Sequence, residues 1–448
     1  MPQRRLLDAT NNPAQLVVVA FVALIAIGGA LLALPAAFDP GVHPGVGDAV
    51  FMSASAVTVT GLTTIDAGTF SLFGELVLLV LMQVGGFGIV TIGSVLALVA
   101  SHRISLRQRM LTSTEFGAVD AGELRALVTA VAKITLSVEA VVAVVLTLRL
   151  WAAYDEPFTD ALYSGIFHAV SSFNNAGLSL YSDSFSRFVG DPVVIITLAA
   201  SFIVGGFGFP VLVEFLRRVR PSRWSLHTRI TLVASAVLLV IGPLFVIVVE
   251  WSNPATLGPL GVDDKLLAGW FQGVTPRSAG FNTIAVGEMN ESTLLLLSTL
   301  MFIGAGPAST SGGIKVTTFA VLACAIWADI RGERDVVAFR RRIPTATIRQ
   351  ALTVALISVG GVVGTALLLE MTSGLGLTVA LFEATSAFGS SGLSTGVTGE
   401  LPTGGTILLM LVMLAGRVGP VTFITALALR QRQRQRTYRY PEERPIIG

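Results

Sequence analysis

The sequence predicts an all-α membrane protein of four helix, re-entrant loop, helix repeats, and three observations predict it. Of 448 residues, 53% are hydrophobic and 13% charged, with a mean hydropathy of +0.76, an apolar excess that a soluble fold does not carry. Long apolar runs recur near 15–34, 72–100, 127–152, 190–216, 228–250, 293–327, 346–371 and 404–429, and each can cross ~30 Å of hydrocarbon at about 1.5 Å per residue. A short motif ending in glycine lies between the members of every pair of runs, an internal repeat of long period. The 46 glycines fit the same picture. Each weakens a helix by roughly 1 kcal/mol, so they mark helices broken where backbone must be exposed.

Residues 1–14 form an amino-terminal segment whose Arg4 and Arg5 precede the first run without a small-residue cleavage site, so that run is a spanning helix and not a removable signal. The first repeat takes residues 15–100, the second 101–219 with its preceding loop, the third 220–328 and the fourth 329–429 with its preceding loop; a basic tail follows at 430–448. Within the repeats, the half-apolar stretches 47–57, 159–172, 263–275 and 377–388 are too short to span, so they should enter the membrane and return. Then comes the motif. Val57-Thr58-Val59-Thr60-Gly61-Leu62-Thr63 recurs as Phe173-Asn174-Asn175-Ala176-Gly177-Leu178-Ser179, as Pro276-Arg277-Ser278-Ala279-Gly280-Phe281-Asn282 and as Phe388-Gly389-Ser390-Ser391-Gly392-Leu393-Ser394. The four glycines are 116, 103 and 112 residues apart. A single cysteine, Cys324, excludes a disulfide framework and a multi-thiolate metal site.

Lys and Arg set the orientation. Two at the amino terminus, four in 101–125, five in 217–229, six in 329–349 and six after 429 all fall on one side if each unit is helix, re-entrant loop, helix. The protein is therefore expected to be multi-pass in the cytoplasmic (inner) membrane with both termini cytoplasmic. The opposite side holds Asp39, Asp48, Asp66, Asp155, Asp183, Asp263, Asp264 and Glu288 among others, a vestibule that concentrates cations.

A short helix that stops at mid-depth leaves its last carbonyls unpaired and negative. Four such ends around one central pore favour a cation, and extended residues after them can turn carbonyls inward where glycine allows close approach. Rings of carbonyls that replace hydration water are how potassium filters work. The motif positions carry no acidic residue, which argues against a carboxylate filter for divalent cations.

These four segments, in this order and over nearly the whole chain, resemble the membrane subunit of the Trk/Ktr/HKT superfamily of potassium transporters, closest to the bacterial Ktr type. The resemblance implies a monomer enclosing its own pore, with one quarter of the filter from each unit. By that match the potassium filter is lined by Thr58, Val59, Thr60 and Gly61, by Asn174, Asn175, Ala176 and Gly177, by Arg277, Ser278, Ala279 and Gly280, and by Gly389, Ser390, Ser391 and Gly392. The resemblance implies potassium as the transported metal ion at these residues, with no covalently bound cofactor and with sodium as a second ion it leaves open. In plant members, serine at the first filter glycine accompanies sodium selectivity; Gly61 stands there and favours potassium. Trk-type members often carry further helices before the first unit, whereas about fourteen residues precede it here, matching the Ktr type.

The sixth run is interrupted by Gly304-Ala305-Gly306-Pro307-Ala308-Ser309-Thr310-Ser311-Gly312-Gly313, which cannot remain ordinary helix. Irregular backbone at this depth needs protein or a water-filled cavity around it; a kink relieved by neighbouring helices is the alternative. With the following Ile314-Lys315-Val316-Thr317-Thr318 it resembles the superfamily's intramembrane gating loop. The gate would comprise Gly304, Gly306, Pro307, Ser309, Thr310, Ser311, Gly312 and Gly313 with Lys315 and Arg417. Arg417, deep in the last run, is expensive unless it faces a cavity or a partner. The resemblance places it in the pore as a barrier, and satisfying carbonyls of the broken helix is a second role open to it. Lys315 either lines the cavity or snorkels to the inner face. Arg277 is expected to brace the filter, since a cation in a cation path would hinder it. Glu139 is read either as a proton-coupling carboxylate or as a protonated or paired structural residue.

An enzyme has no candidate chemistry: His43, His102, His168 and His227 are scattered and no catalytic motif occurs. A sodium- or proton-coupled potassium carrier is the other class, but carrier halves are commonly inverted, whereas these units run parallel. The basic segments with Arg217, Arg218 and Arg220, with Arg340, Arg341 and Arg342, and with Arg430, Arg432, Arg434 and Arg436 suit anionic lipid. The resemblance adds a cytosolic nucleotide-binding regulatory ring and a homodimer as partners. Nothing points to nucleic acid.

Overall fold

The computed structural model describes residues 13–41, 45–88, 121–217 and 219–433. The amino-terminal segment to residue 12, His43, the end of the first repeat with the loop to residue 120, Arg218 and the tail from 434 lie outside them. The first unit comprises α1 (Pro13–Leu32), α2 (Val46–Thr58) and α3 (Leu72–Gly88). The second comprises α4 (Ala121–Ala153), α5 (Phe158–Phe173), α6 (Pro192–Phe207) and α7 (Phe209–Leu216). α8 (Leu226–Glu250), α9 (Val262–Val274), α10 (Glu291–Phe302) and α11 (Val316–Ile330) form the third, and α12 (Thr345–Ser373), α13 (Leu377–Gly389) and α14 (Thr403–Gln433) the fourth. The fold is thus all-α with helix, re-entrant loop, helix repeats around one centre. One small hairpin, β1 (Val337–Ala338) with β2 (Arg341–Arg342), interrupts it in the basic stretch before α12.

Among the described residues, α4, α8 and α12 are long and apolar enough to cross a membrane unaided, and α6 with α7 would make a fourth span bent by 100°. Their outer faces carry unburied Val141, Val144, Val240, Val248, Leu356 and Leu367, apolar surface that suits lipid and not water. The run 190–216 reads as one continuous span in the sequence, and the structure corrects this. Gly208, at φ 88°, turns the chain and Pro210 follows it. The Phe209 amide donates to the Ala308 carbonyl at 3.0 Å, so the break is repaid by the loop that interrupts the sixth run.

The re-entrant helices α2, α5, α9 and α13 start under local control. Asp48, Asp160, and Asp263 with Asp264 occupy the first turns of α2, α5 and α9, where the helix dipole favours negative charge; the negative carboxyl ends then face the centre. Four apolar clusters surround that centre, and each contains a fully buried phenylalanine from the next unit's re-entrant helix. Phe167 packs with Met52 and Met82, Phe271 with Leu146 and Phe202, Phe382 with Val246 and Leu297, and Phe51 with Leu369 and Met413. This cyclic exchange closes the ring of units.

In three of the four units the exit helix approaches its own re-entrant helix through a glycine. Gly85, Gly205 and Gly416 lie where a Cβ would strike the carbonyl oxygens of Val57, Phe173 and Phe388, each four residues before a motif glycine. Gly85→Ala is therefore expected to cost about 1–2 kcal/mol by overpacking, read as a lower thermal midpoint in detergent.

Candidate functional site

The four motif copies share one backbone pattern. Val59, Asn175, Ser278 and Ser390 have φ of 54°, 60°, 70° and 46°, and two residues later Gly61, Gly177, Gly280 and Gly392 have φ of 90°, 67°, 77° and 83°. The sequence reading of simply extended segments is corrected here: a left-handed residue is what reverses the chain at the end of each re-entrant helix. For valine that conformation costs about 1–2 kcal/mol, so packing must enforce it. The bonds that do so repeat. The amides of Thr60, Ala176 and Ser391 donate to the carbonyls of Ser55, Ser171 and Ser386 at 2.8, 2.7 and 2.9 Å, and that of Ala279 to Thr275 at 3.0 Å.

The four glycines close into one ring. A Cβ on Gly61 would meet the Ala176 carbonyl oxygen, on Gly177 that of Ala279 at 2.8 Å, on Gly280 that of Ser391 at 2.7 Å and on Gly392 that of Thr60 at 2.5 Å. The same Cβ atoms would lie 2.8–3.3 Å from neighbouring glycine Cα atoms. Four carbonyls from four units thus lie around one axis, each against the glycine of the unit before it. Polar atoms that converge on a single point in this way can replace the water of a monovalent cation.

Side chains behind the ring point away from it. Thr58 Oγ1 donates to the Ala54 carbonyl at 2.7 Å and lies 2.7 Å from Thr60 Oγ1. Asn174 Nδ2 donates to Gln83 Oε1 at 2.7 Å and to Glu139 Oε1 at 3.0 Å, and the Asn175 amide is buried without a partner among the described residues. Arg277 points outward, as the sequence suggests: Nη1 donates to the Ser235 carbonyl at 3.1 Å and Nη2 to the Gly304 carbonyl at 3.3 Å. Ser278 Oγ donates to the Gly389 carbonyl at 2.9 Å and Ser391 Oγ to that of Pro276 at 3.3 Å, tying the third copy to the fourth.

Three side chains that sequence reasoning passed over hold the outgoing strand. His168 Nε2, Gln272 Oε1 and Glu383 Oε1 accept the amides of Leu180, Thr283 and Thr395 at 3.2, 3.4 and 2.9 Å. Each accepted amide lies three residues after a motif glycine, and each acceptor eight or nine before it; that common offset was the available signal. Since His168 Nδ1 lies 2.8 Å from the Ser164 carbonyl, the ring is neutral with its proton on Nδ1. Glu383 also accepts the hydroxyls of Ser394 and Thr398, both at 2.8 Å. Glu383→Gln is expected to cost about 1–2 kcal/mol, because an amide presents a donor where the carboxylate accepted; thermal unfolding in detergent checks it.

Residues 303–315 run beneath the ring between α10 and α11. A Cβ on Gly312 would lie 2.7 Å from Ser390 Cβ, and Thr310 Oγ1 donates to the Phe173 carbonyl at 3.3 Å. Gly306 N donates to the Gly206 carbonyl at 2.8 Å and Ala305 N to Ser311 Oγ at 3.0 Å; Ser309 Oγ lies 3.1 Å from Ser311 Oγ. Gly313, at φ 70°, and Pro307 keep the segment from becoming helix. Lys315 Nζ turns back onto the Ser311 and Gly312 carbonyls at 2.5 and 3.4 Å, four and three residues earlier. Buried Arg417 reaches across from α14 and donates through Nη1 to the Thr310 carbonyl. Its buried Nε and Nη2 have no partner among the described residues.

At the outer mouth, burial and neighbouring Asp183 push the Asp66 carboxyl above its usual range. Burial works the same way on Asp183, but Arg187 at 2.7 Å outweighs it and holds that carboxyl low.

A family model described as TrkH, cation transport protein, matches residues 3–436. The Ktr system potassium uptake protein B of Bacillus subtilis is 39% identical over 98% of this chain and 97% of its own length, and that of Vibrio alginolyticus 37% identical over 98% and 96%. The potassium/sodium uptake protein NtpJ of Enterococcus hirae is 31% identical over 98% and 97%. The crystal structure of the potassium transporter TrkH from Vibrio parahaemolyticus has the same fold, with a TM-score of 0.71 at 22% identity over 92% of this chain and 83% of that one. These relatives are membrane transporters and not enzymes. With a match across four repeats and nearly every residue, the chain belongs to the TrkH family of cation transport proteins, among its Ktr-type members.

Proposed function

We propose that this protein takes potassium into the cell across the inner membrane through a four-part backbone-carbonyl filter, gated below by residues 304–313 with Lys315 and Arg417. The observation that carries the reading is the closed ring of the Thr60, Ala176, Ala279 and Ser391 carbonyls against four glycines. Hydrated cations gather at the acidic outer mouth and shed water at the ring. They then pass a segment that Arg417 crosses with a positive charge. With both termini cytoplasmic, the inside-negative potential supplies ~2.3 kcal/mol per charge per 100 mV. Names of relatives support potassium, and one names sodium beside it.

Regulation is assigned to a cytosolic nucleotide-binding ring docked on a homodimer of this chain. The hairpin that exposes Arg340, Arg341 and Arg342 supplies a basic surface for that contact or for anionic lipid. Potassium-gradient-driven flux in liposomes, with sodium, rubidium and protons as competitors, tests the reading. Passage of potassium and rubidium without proton dependence is expected. Strict coupling to protons or sodium would replace the pore with a carrier.

A further inference from the structure

The first filter residue of each unit is braced, and the braces differ in kind. Thr58 bonds its own helix, Arg277 bonds Ser235 and Gly304, and the Gly389 carbonyl receives Ser278. Asn174 is held by a carboxylate. Glu139 on α4 is 6% exposed; its Oε1 accepts Asn174 Nδ2 at 3.0 Å and its Oε2 accepts Gln83 Nε2 at 3.2 Å. Gln83 Oε1 in turn accepts Asn174 Nδ2 at 2.7 Å, as does the Val170 carbonyl at 3.0 Å. Three acceptors share an amide with two hydrogens, so Asn174 has one orientation available. Gly86 makes room for it, since a Cβ there would lie 2.6 Å from Asn174 Cγ.

Both oxygens of Glu139 accept N–H donors. Among the described residues no ion pair engages it. These bonds end two residues before Ala176, whose carbonyl stands in the ring.

We propose that Glu139 is a positioning residue that, through Asn174 and Gln83, sets the spacing of the second filter segment and thereby the preference for potassium over sodium. It neither touches the ion nor carries a proton for transport. This rests on the filter reading above, and deepens it.

The test is relative potassium and sodium flux of purified protein in liposomes. Glu139→Gln preserves shape but presents a donor to one of two donors, losing one of the two bonds; the potassium-to-sodium ratio is expected to fall about tenfold. Gln83→Leu, which removes the second tie, is expected to lower it in the same direction by less. Glu250→Gln is the control for a purely structural carboxylate, because Glu250 accepts Asn253, Thr256 and Thr293 at the outer end of α8, away from the ring. It should lower thermal stability and leave the ratio unchanged. A folded Glu139→Gln protein with an unaltered ratio overturns the inference; should that variant not fold, an unaltered ratio in Gln83→Leu overturns it equally. If wild-type protein shows no potassium preference, the filter reading itself fails and this inference with it.

Discussion

Gly61→Ser is expected to lower the potassium-to-sodium flux ratio more than tenfold while the protein still folds and inserts. Two penalties act together. A Cβ at position 61 would collide with the Ala176 carbonyl oxygen and press on the Gly177 and Gly392 Cα atoms, both 3.2 Å away. All three are backbone, so no rotamer change relieves the contact; overpacking of this kind costs about 1–3 kcal/mol. The φ of 90° at Gly61 adds about 1–2 kcal/mol for any residue with a side chain. The ring relieves this by widening at the first unit, and a carbonyl that has moved no longer matches a dehydrated potassium ion. Because 1.4 kcal/mol is tenfold in an equilibrium, about 2 kcal/mol of misfit already exceeds the expected change. Competition flux in liposomes reads it directly. An unchanged ratio would remove Gly61 from selectivity and leave the ring as packing alone.

Arg417→Ala is expected to raise basal potassium flux by more than tenfold. The guanidinium is buried and donates to the Thr310 carbonyl, with Nε and Nη2 unpartnered among the described residues. At an effective dielectric of about 20, a unit positive charge about 8 Å from a passing cation opposes it by ~2 kcal/mol, more than tenfold in rate. The same change frees the Thr310 carbonyl and loosens residues 303–315, whose remaining tethers include Gly205, Gly206, Phe173, Phe209 and Arg277. Both effects point the same way. Lower flux from a folded variant would mean that Arg417 chiefly braces the broken helix and is not the barrier.

The repeat, the re-entrant helices and the motif glycines were legible because each follows from a local constraint. A run of twenty apolar residues has to span, a half-length one has to return, and a residue that carries φ near 80° next to another backbone has to be glycine. Arg277 was legible for a similar reason, since a fixed cation is excluded from a cation path. Harder signals were also present but needed the fold to give them meaning. Phe51, Phe167, Phe271 and Phe382 precede Gly61, Gly177, Gly280 and Gly392 by 10, 10, 9 and 10 residues, yet in a chain so rich in apolar residues one more phenylalanine draws no notice. Gly85, Gly205, Gly304 and Gly416 follow the same glycines by 24, 28, 24 and 24 residues. They form a second repeat, which shows Arg417 to occupy the position that Gly86, Gly206 and Ala305 hold in the other units.

What the sequence by itself determined was the class of the protein, its four-part plan and the segments that meet at the centre, because hydropathy, glycine and repetition are properties of the chain. What only the tertiary structure decided was who holds those segments in place. The 100° break at Gly208, the carboxylate of Glu383 on the fourth copy and that of Glu139 on the second all depend on groups brought together from distant turns or different units. A buried polar group must find a partner, but periodicity does not say which partner will be within 3 Å; the packing of four inexact copies around one axis does.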